Sequence, residues 1–413
     1  MSGMAETAKG RRTGRLGRTL RALAIIVAIG VALALWNSYS LRRDIANATG
    51  PQGEAQKSFF VNAADRPDIA VFFKNLTPEH RMEMSQAIGR YDDPKLPILV
   101  GKLLADFDAD ARKALATSLV HLAKTQPEAV AQQLNQKGSF QQIGVFEALK
   151  SAGPSILPLV AKQLSVADAR PGVIQYMVDQ GAASIPVLQP YLDDKDKDVK
   201  LAAADALGKL RAREATAKLV ELYQTAEPDP KAQYLAALSG IGDPTQEGLM
   251  TSILSDSTSP IAQRASAALG LGRIATPSAI STLWRHTEDS ETTVHDSAVS
   301  GLILAGDASL ESGNGSPTNR LAVASGLQSP QADGVIGRAM DDPVLMVAAI
   351  KAAAGRPSLV APLADRLARL DPAAEGDTAD LLIESLRATE EGKSRLAVLS
   401  KNPDIAALAA RRS

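Results

Sequence analysis

Apolar and polar positions along this chain fall into paired amphipathic segments that recur about every 30 residues, the period of a helical-hairpin repeat. The pattern is clearest in Asp196-Lys-Asp-Val-Lys-Leu-Ala-Ala-Ala-Asp-Ala-Leu-Gly-Lys-Leu210. Asp108-Ala-Asp-Ala-Arg-Lys-Ala-Leu-Ala-Thr-Ser-Leu-Val-His-Leu122 aligns with it without a gap. Asp108 and Asp196 stand where a helix N-cap is wanted, because a carboxylate accepts N–H groups that a first turn leaves unpaired. With Leu207 as the marker, equivalent positions are Leu119, Leu149, Met177, Leu238, Leu269 and Val299. The steps along that series are 30, 28, 30, 31, 31 and 30 residues.

Each step holds a second amphipathic segment: Ile156-Leu-Pro-Leu-Val160, Ile185-Pro-Val-Leu188, Ala217-Lys-Leu-Val-Glu-Leu222. Pro158 and Pro186 fall in its first turn, where a missing N–H removes no intrahelical bond. Turns such as Gly240-Ile-Gly-Asp-Pro244 and Gly272-Arg-Ile-Ala-Thr-Pro277 precede it. One such hairpin cannot bury its apolar face alone, so the pattern predicts an all-α, solenoid-like stack over residues 67–305. Before it, a helix is expected from Pro67 to Leu76. Thr77-Pro78 then caps another, with Met84, Ile88 and Tyr91 on one face. Residues 42–66 hold Gly50-Pro51-Gln52-Gly53 and no sustained apolar period, so they read as a linker. Gly306 to Asn319 is Gly/Ser/Asn-rich and predicts an exposed insertion loop, with a degraded repeat over 306–335. Repeats resume over 336–413, starting at Asp342-Pro343, with markers near Ala353 and at Leu386. Asn402 to Ser413 reads as a capping helix.

The residues of Asp196–Leu210, together with Ser266-Ala-Ala-Leu-Gly270, resemble HEAT-like repeats of the short E-Z type, also found in phycobilin lyase subunits. The resemblance covers about Asp92 to Ala305. It implies a HEAT-like α-solenoid and says little of function, because the matching residues are caps and core.

Ahead of the repeats, Ala22 to Leu41 is 20 residues without a formal charge. That is long enough to span a bilayer core as a helix. Lys9, Arg11, Arg12, Arg15, Arg18 and Arg21 precede it, and only Arg42 and Arg43 follow closely. The positive-inside rule then puts the basic tail, 1–21, in the cytoplasm and the repeats outside. Trp36 and Tyr39 would anchor the far interface. A cleaved signal peptide, with Ala32-Leu33-Ala34 as its site, is the competing reading. A retained anchor is favoured because the uncharged stretch runs past that site. Both readings export the body, and the expected location is a bacterial inner membrane with the repeats on the periplasmic or outer side.

Composition narrows the chemistry. Only 4% of residues are aromatic, so the core is expected to be aliphatic and alanine-rich. A net charge of -1 argues against nucleic acid as a partner. The absence of cysteine excludes disulfides and thiolate metal sites. HEAT-like metal hydroxylases carry repeated His-Glu pairs, whereas Glu79-His80 reverses that order and has no counterpart. Only four histidines exist: His80, His121, His286 and His295. His286 and His295, with Glu288, Asp289, Glu291 and Asp296 nearby, are the one weighed metal candidate; an acidic turn at a helix start is the plainer expectation. Asp193-Asp-Lys-Asp-Lys-Asp198 lacks the glycine and terminal Glu of a calcium loop. Gly270-Leu-Gly272 reads as a helix C-terminus rather than a phosphate cradle. A Ser/His/Asp triad is defined by geometry, and no nucleophile elbow appears. No catalytic, cofactor-binding or metal residue is therefore assigned, and no enzyme activity is expected. The reading is a membrane-anchored scaffold or adaptor for another protein. A lyase-like or chaperone-like subunit for a cofactor-carrying protein, or a structural subunit of a membrane complex, are the alternatives.

Overall fold

The computed structural model describes residues 40, 42–104, 108–135, 144–146, 148–150, 152–311, 314–371 and 375–410. The basic tail 1–21 and all but Ser40 of the expected membrane segment lie outside the described residues. No helix among the described residues is long and apolar enough to cross a membrane. The described residues are helices and turns, and their contacts form two compact units divided between Met177 and Val178.

The first unit opens with a helix over 42–49, then α1 (Glu54–Ala63), α2 (Ile69–Lys74), α3 (Pro78–Ile88) and α4 (Leu96–Leu103). α5 (Ala109–Thr125), α6 (Pro127–Ala131) and α7 (Leu157–Lys162) follow, and α8 (Arg170–Asp179) carries the division. The linker expected over 42–66 is thus helical. Gln56 explains why: its amide donates to Ala48 O at 3.1 Å and Gly50 O at 2.9 Å, closing the two helices over a buried Phe60. Gly50-Pro-Gln-Gly53 is their turn. Its Gly53 N–H donates to Tyr91 Oη at 2.9 Å.

In the second unit the helices alternate between two rows. α10 (Lys197–Lys209), α12 (Pro228–Ile241), α14 (Ile261–Ile274) and α16 (Thr292–Ala305) pack side by side as the first row. α9 (Ile185–Leu188), α11 (Thr216–Thr225), α13 (Glu247–Ser255) and α15 (Pro277–His286) belong to the second. Polar residues start these helices as expected. Asp108 accepts Asp110 N and Ala111 N, both at 3.1 Å; Asp196 accepts Asp198 N at 2.8 Å; Thr77 accepts His80 N at 3.3 Å. α9 stops after four residues, and Pro190, which lacks an N–H, lies in the 3-10 turn that continues it.

Leu207 and Leu238 are buried markers, but the register slips by one residue further on. Ala268 and Ala298 are fully buried, whereas Leu269 and Val299 are half-exposed. Small residues take the inner position because the first-row backbones run close together. A Cβ added at Gly272 would stand 2.3 Å from Gly301 O, and one at Gly240 would stand 2.9 Å from Gly208 O. Gly270 and Gly272 are therefore helix-crossing residues, not the helix end expected of them. Ala275, at φ 54°, ends α14 in the left-handed region.

The insertion loop expected at Gly306–Asn319 is also corrected. α17 (Ala308–Glu311) is a short second-row helix with Leu310 buried, and Trp284 Nε1 donates to Ser309 O at 3.0 Å. α18 (Pro317–Gly326) continues the first row with Leu321 and Ala324 buried, and α19 (Pro330–Ala339) pairs with it. The supposed degraded repeat is a hairpin with a short second helix, so the array runs on. α20 (Met346–Ala353), α21 (Val360–Arg369), α22 (Gly376–Arg387) and α23 (Glu390–Leu399) repeat the alternation. α24 (Pro403–Ala410) closes it, with Arg387 Nη2 donating to Ala409 O at 2.7 Å.

Candidate protein-binding groove

On a solvent-exposed face of the first row, α10, α12 and α14 line a groove of about 530 Å³. Close backbone packing makes it. Where Gly208 meets Ala237, and Gly240 meets Gly208, no side chain stands between the helices, and the floor is backbone and small residues. Half-exposed Leu201 and Leu269 add apolar surface.

Charge is concentrated at one end. Lys209 pairs with Asp205 at 2.8 Å, leaving Arg211 and Arg273 as the remaining lining charges. Arg273 is partly buried and donates from Nη1 to Ser239 O at 3.3 Å. Its pKa is held below the ordinary guanidinium value, first by burial and then by the positive charge of Arg211. Arg211 makes no side-chain hydrogen bond or ion pair among the described residues. Its backbone is unusual as well. At φ 54° it sits in the left-handed region, which costs a non-glycine residue about 1–2 kcal/mol. Gly242 occupies the corresponding turn after α12, at φ 66°. Sequence reasoning missed Arg211 and Arg273. The available signal was an arginine 31 residues before Gly242, where the repeat favours glycine.

The weighed histidines go elsewhere. His286 Nδ1 lies 3.2 Å from Asp289 Oδ2, and its Nε2 lies 3.4 Å from Ser255 Oγ. That is the order of groups in a serine triad. Yet Arg264, 6% exposed, donates to the same Asp289 oxygen at 2.5 Å and to Leu254 O at 3.0 Å. Burial alone would raise the Asp289 pKa. The Glu291 N–H, His286 and Arg264 together hold it low, so the carboxylate already serves a buried cation. The cluster reads as a clamp between α13, α14 and the turn before α16. His295 turns to Thr287 O (2.6 Å), where Asn319 Nδ2 also donates (3.0 Å) while reaching Glu288 Oε1 at 2.8 Å. His286 and His295 thus serve different partners. Among the described residues, no group of three or more His, Asp or Glu could hold a metal ion. Glu291 is the N-cap position of α16, and Asp296 lies 3.9 Å from His295. His80 follows the Thr77 cap, and His121 lies on an exposed face 3.8 Å from Asp92. In Asp193–Asp198, Asp194 accepts Asp196 N at 2.8 Å and Asp193 pairs with Lys218 at 2.8 Å, so these acids are engaged as caps and links.

Alternating rows of short helices, joined at crossings of glycine and alanine, define a helical-hairpin repeat protein. Residues 163–239 match the family model for HEAT repeats, and the same hairpin recurs on either side of that window. Residues 163–239 are thus HEAT-like repeats. No curated protein matches the chain in sequence. Among solved structures it is similar to human deoxyhypusine hydroxylase in complex with glycerol, at 15% identity, 66% of this chain, 98% of that chain and TM-score 0.27. A Kap121p mutant matches at 14% identity over 84% of this chain and 45% of that one, TM-score 0.39. Importin β matches at 15% over 86% and 54%, TM-score 0.36. The chain spans about half the length of the last two. Likeness at these TM-scores does not bear on function.

Proposed function

We propose that this chain is a membrane-anchored, extracytoplasmic HEAT-repeat scaffold or adaptor, and that it binds another protein along the groove across α10, α12 and α14. The groove is the observation that carries the reading. It is open, it spans three neighbouring helices, and it carries charge on a row of tightly packed backbones. An extended surface of that kind suits a peptide or protein better than a small molecule enclosed on all sides. Anchoring and export rest on the sequence alone: an uncharged Ala22–Leu41 with its basic residues mainly on one side.

A photo-crosslinking residue at Gln233, in the groove, tests the binding surface in the full chain within native membranes. A discrete crosslinked protein band is expected there and not from Ser252, exposed on the second row. Equal products from both positions, or none from Gln233, would remove the groove as the binding surface. Protease added to intact spheroplasts should digest the repeats and spare the basic tail; a body cut only after lysis would overturn the topology.

A further inference from the structure

We propose that Arg211 and Arg273 form an anion clamp that takes a carboxylate of an extended acidic segment of the partner protein. The inference rests on the groove being a protein-binding surface and names what that surface selects.

Two guanidinium groups share one end of the groove, and the one lining carboxylate, Asp205, is taken up by Lys209. Their mutual repulsion disfavours the pair as it stands, and an anion between them would relieve it. Guanidinium suits a carboxylate in particular, because its planar N–H fork can meet both oxygens at once. Arg211 has no evident structural purpose. It partners nothing among the described residues, and it holds a left-handed backbone position that the next repeat gives to glycine. Adjacent first-row helices lie roughly 8–10 Å apart, so three of them span about 16–20 Å. At about 3.3 Å per residue, an extended segment of five or six residues crosses the groove. Leu201, Leu269 and the small residues of the floor would receive its other side chains.

The backbone of Arg211 supplies the test, because Arg211→Gly removes the guanidinium while easing the turn. Binding of a fluorescent hexaglutamate peptide to the full-length, detergent-solubilised protein is followed by polarisation at low salt. Arg211→Gly and Arg273→Gln should each weaken binding about tenfold or more, as expected for loss of a charge-assisted bidentate contact. Arg211→Gly should melt no lower than wild type. Arg213→Gln removes the same charge two residues away, outside the groove, and should leave affinity within about twofold. Wild-type affinity in Arg211→Gly, or an equal loss in Arg213→Gln, overturns the clamp. So does binding of inorganic phosphate without binding of hexaglutamate. Crosslinking from Gln233 separates the two ideas. Partner capture that survives Arg211→Gly sinks the clamp and keeps the binding surface. Peptide binding without any Gln233 product shows that the two arginines take a carboxylate, but sinks the protein-binding reading and with it the assignment of that carboxylate to a partner protein.

Discussion

Between residues 42 and 91 the interior is organised around aromatic rings in mutual contact, whereas from Lys197 to Ala305 it is mainly aliphatic, with Tyr223, Tyr234 and Trp284 also buried and the first-row helices meeting at glycine and alanine. In the first region Phe60 and Phe73 are fully buried. The Phe59 ring lies 5.7 Å from Phe60 and 6.1 Å from Phe72, and Phe60 lies 6.0 Å from Tyr91. Tyr91 Oη also reaches Gln56 Oε1 at 2.7 Å, and Arg66 ties Asp44 (2.6 Å) to Asp68 (2.9 Å). In the second region the first-row backbones touch through Gly208, Gly240, Gly272 and Gly301. The difference follows from neighbours. A repeat inside an array gains its buried surface from nearly identical hairpins on both sides, so small residues and close approach suffice. The stretch at the beginning of the described chain is irregular, has short helices, and closes its core with a few large side chains.

That contrast predicts the largest effect at Phe60. Phe60→Ala should cost about 3–5 kcal/mol, and hydrogen exchange should rise across α1 to α4. A loss under about 1 kcal/mol would mean the aromatic cluster does not hold this region. Leu207→Ala should cost about 2–5 kcal/mol, with faster exchange greatest in α10 and fading along the row toward α16. Uniform loss over every helix of the second unit would contradict an array of locally stacked repeats.

The same contrast explains what could be read from residues alone. The N-caps Thr77, Asp108 and Asp196 and the markers Leu207 and Leu238 were legible because they depend on local spacing. The helices over 42–63 were not, since a ring cluster closed by Tyr91 and Gln56 has no period and Gly50-Pro-Gln-Gly53 resembles a tether. The register of α14 and α16 was missed for a different reason. An apolar marker was sought, and alanine occupies the buried position where glycine draws the backbones together. Trp284, 25 residues earlier, holds Ser309 in place, and no composition-based reading of Gly306–Asn319 contains that contact. In the groove, Arg211 stands where the next repeat has Gly242, and that signal gains its meaning only from the backbone angle.

Glycine substitutions sharpen the comparison at a smaller scale. Gly272→Ala should cost about 1–3 kcal/mol, because its Cβ meets the backbone of Gly301, which cannot swing aside as a side chain could. Gly53→Ala in the aromatic region should stay within about 0.5 kcal/mol of wild type, since nothing stands within 4 Å and its backbone is extended. Comparable losses in denaturant titrations of the two variants would erase the distinction between close-packed and ring-filled regions.

A smaller effect than at Gly272, with the opposite sign, is expected at Ala275. The array ends α12 with Gly242 at φ 66° and α14 with Ala275 at φ 54°, while no residue from 42 to 91 has a left-handed φ. Ala275→Gly removes a Cβ clash of about 1–2 kcal/mol at that angle. The glycine also widens the unfolded ensemble, which costs about 0.4–1 kcal/mol. The difference favours the variant by roughly 0.5–1 kcal/mol, read as a higher denaturant midpoint at unchanged slope. Ala275 lines neither the groove nor the His286 clamp, so its gain isolates the turn itself. A loss at Ala275→Gly would show that the left-handed angle is not a burden here, and would take away the reason for reading Arg211 as strained.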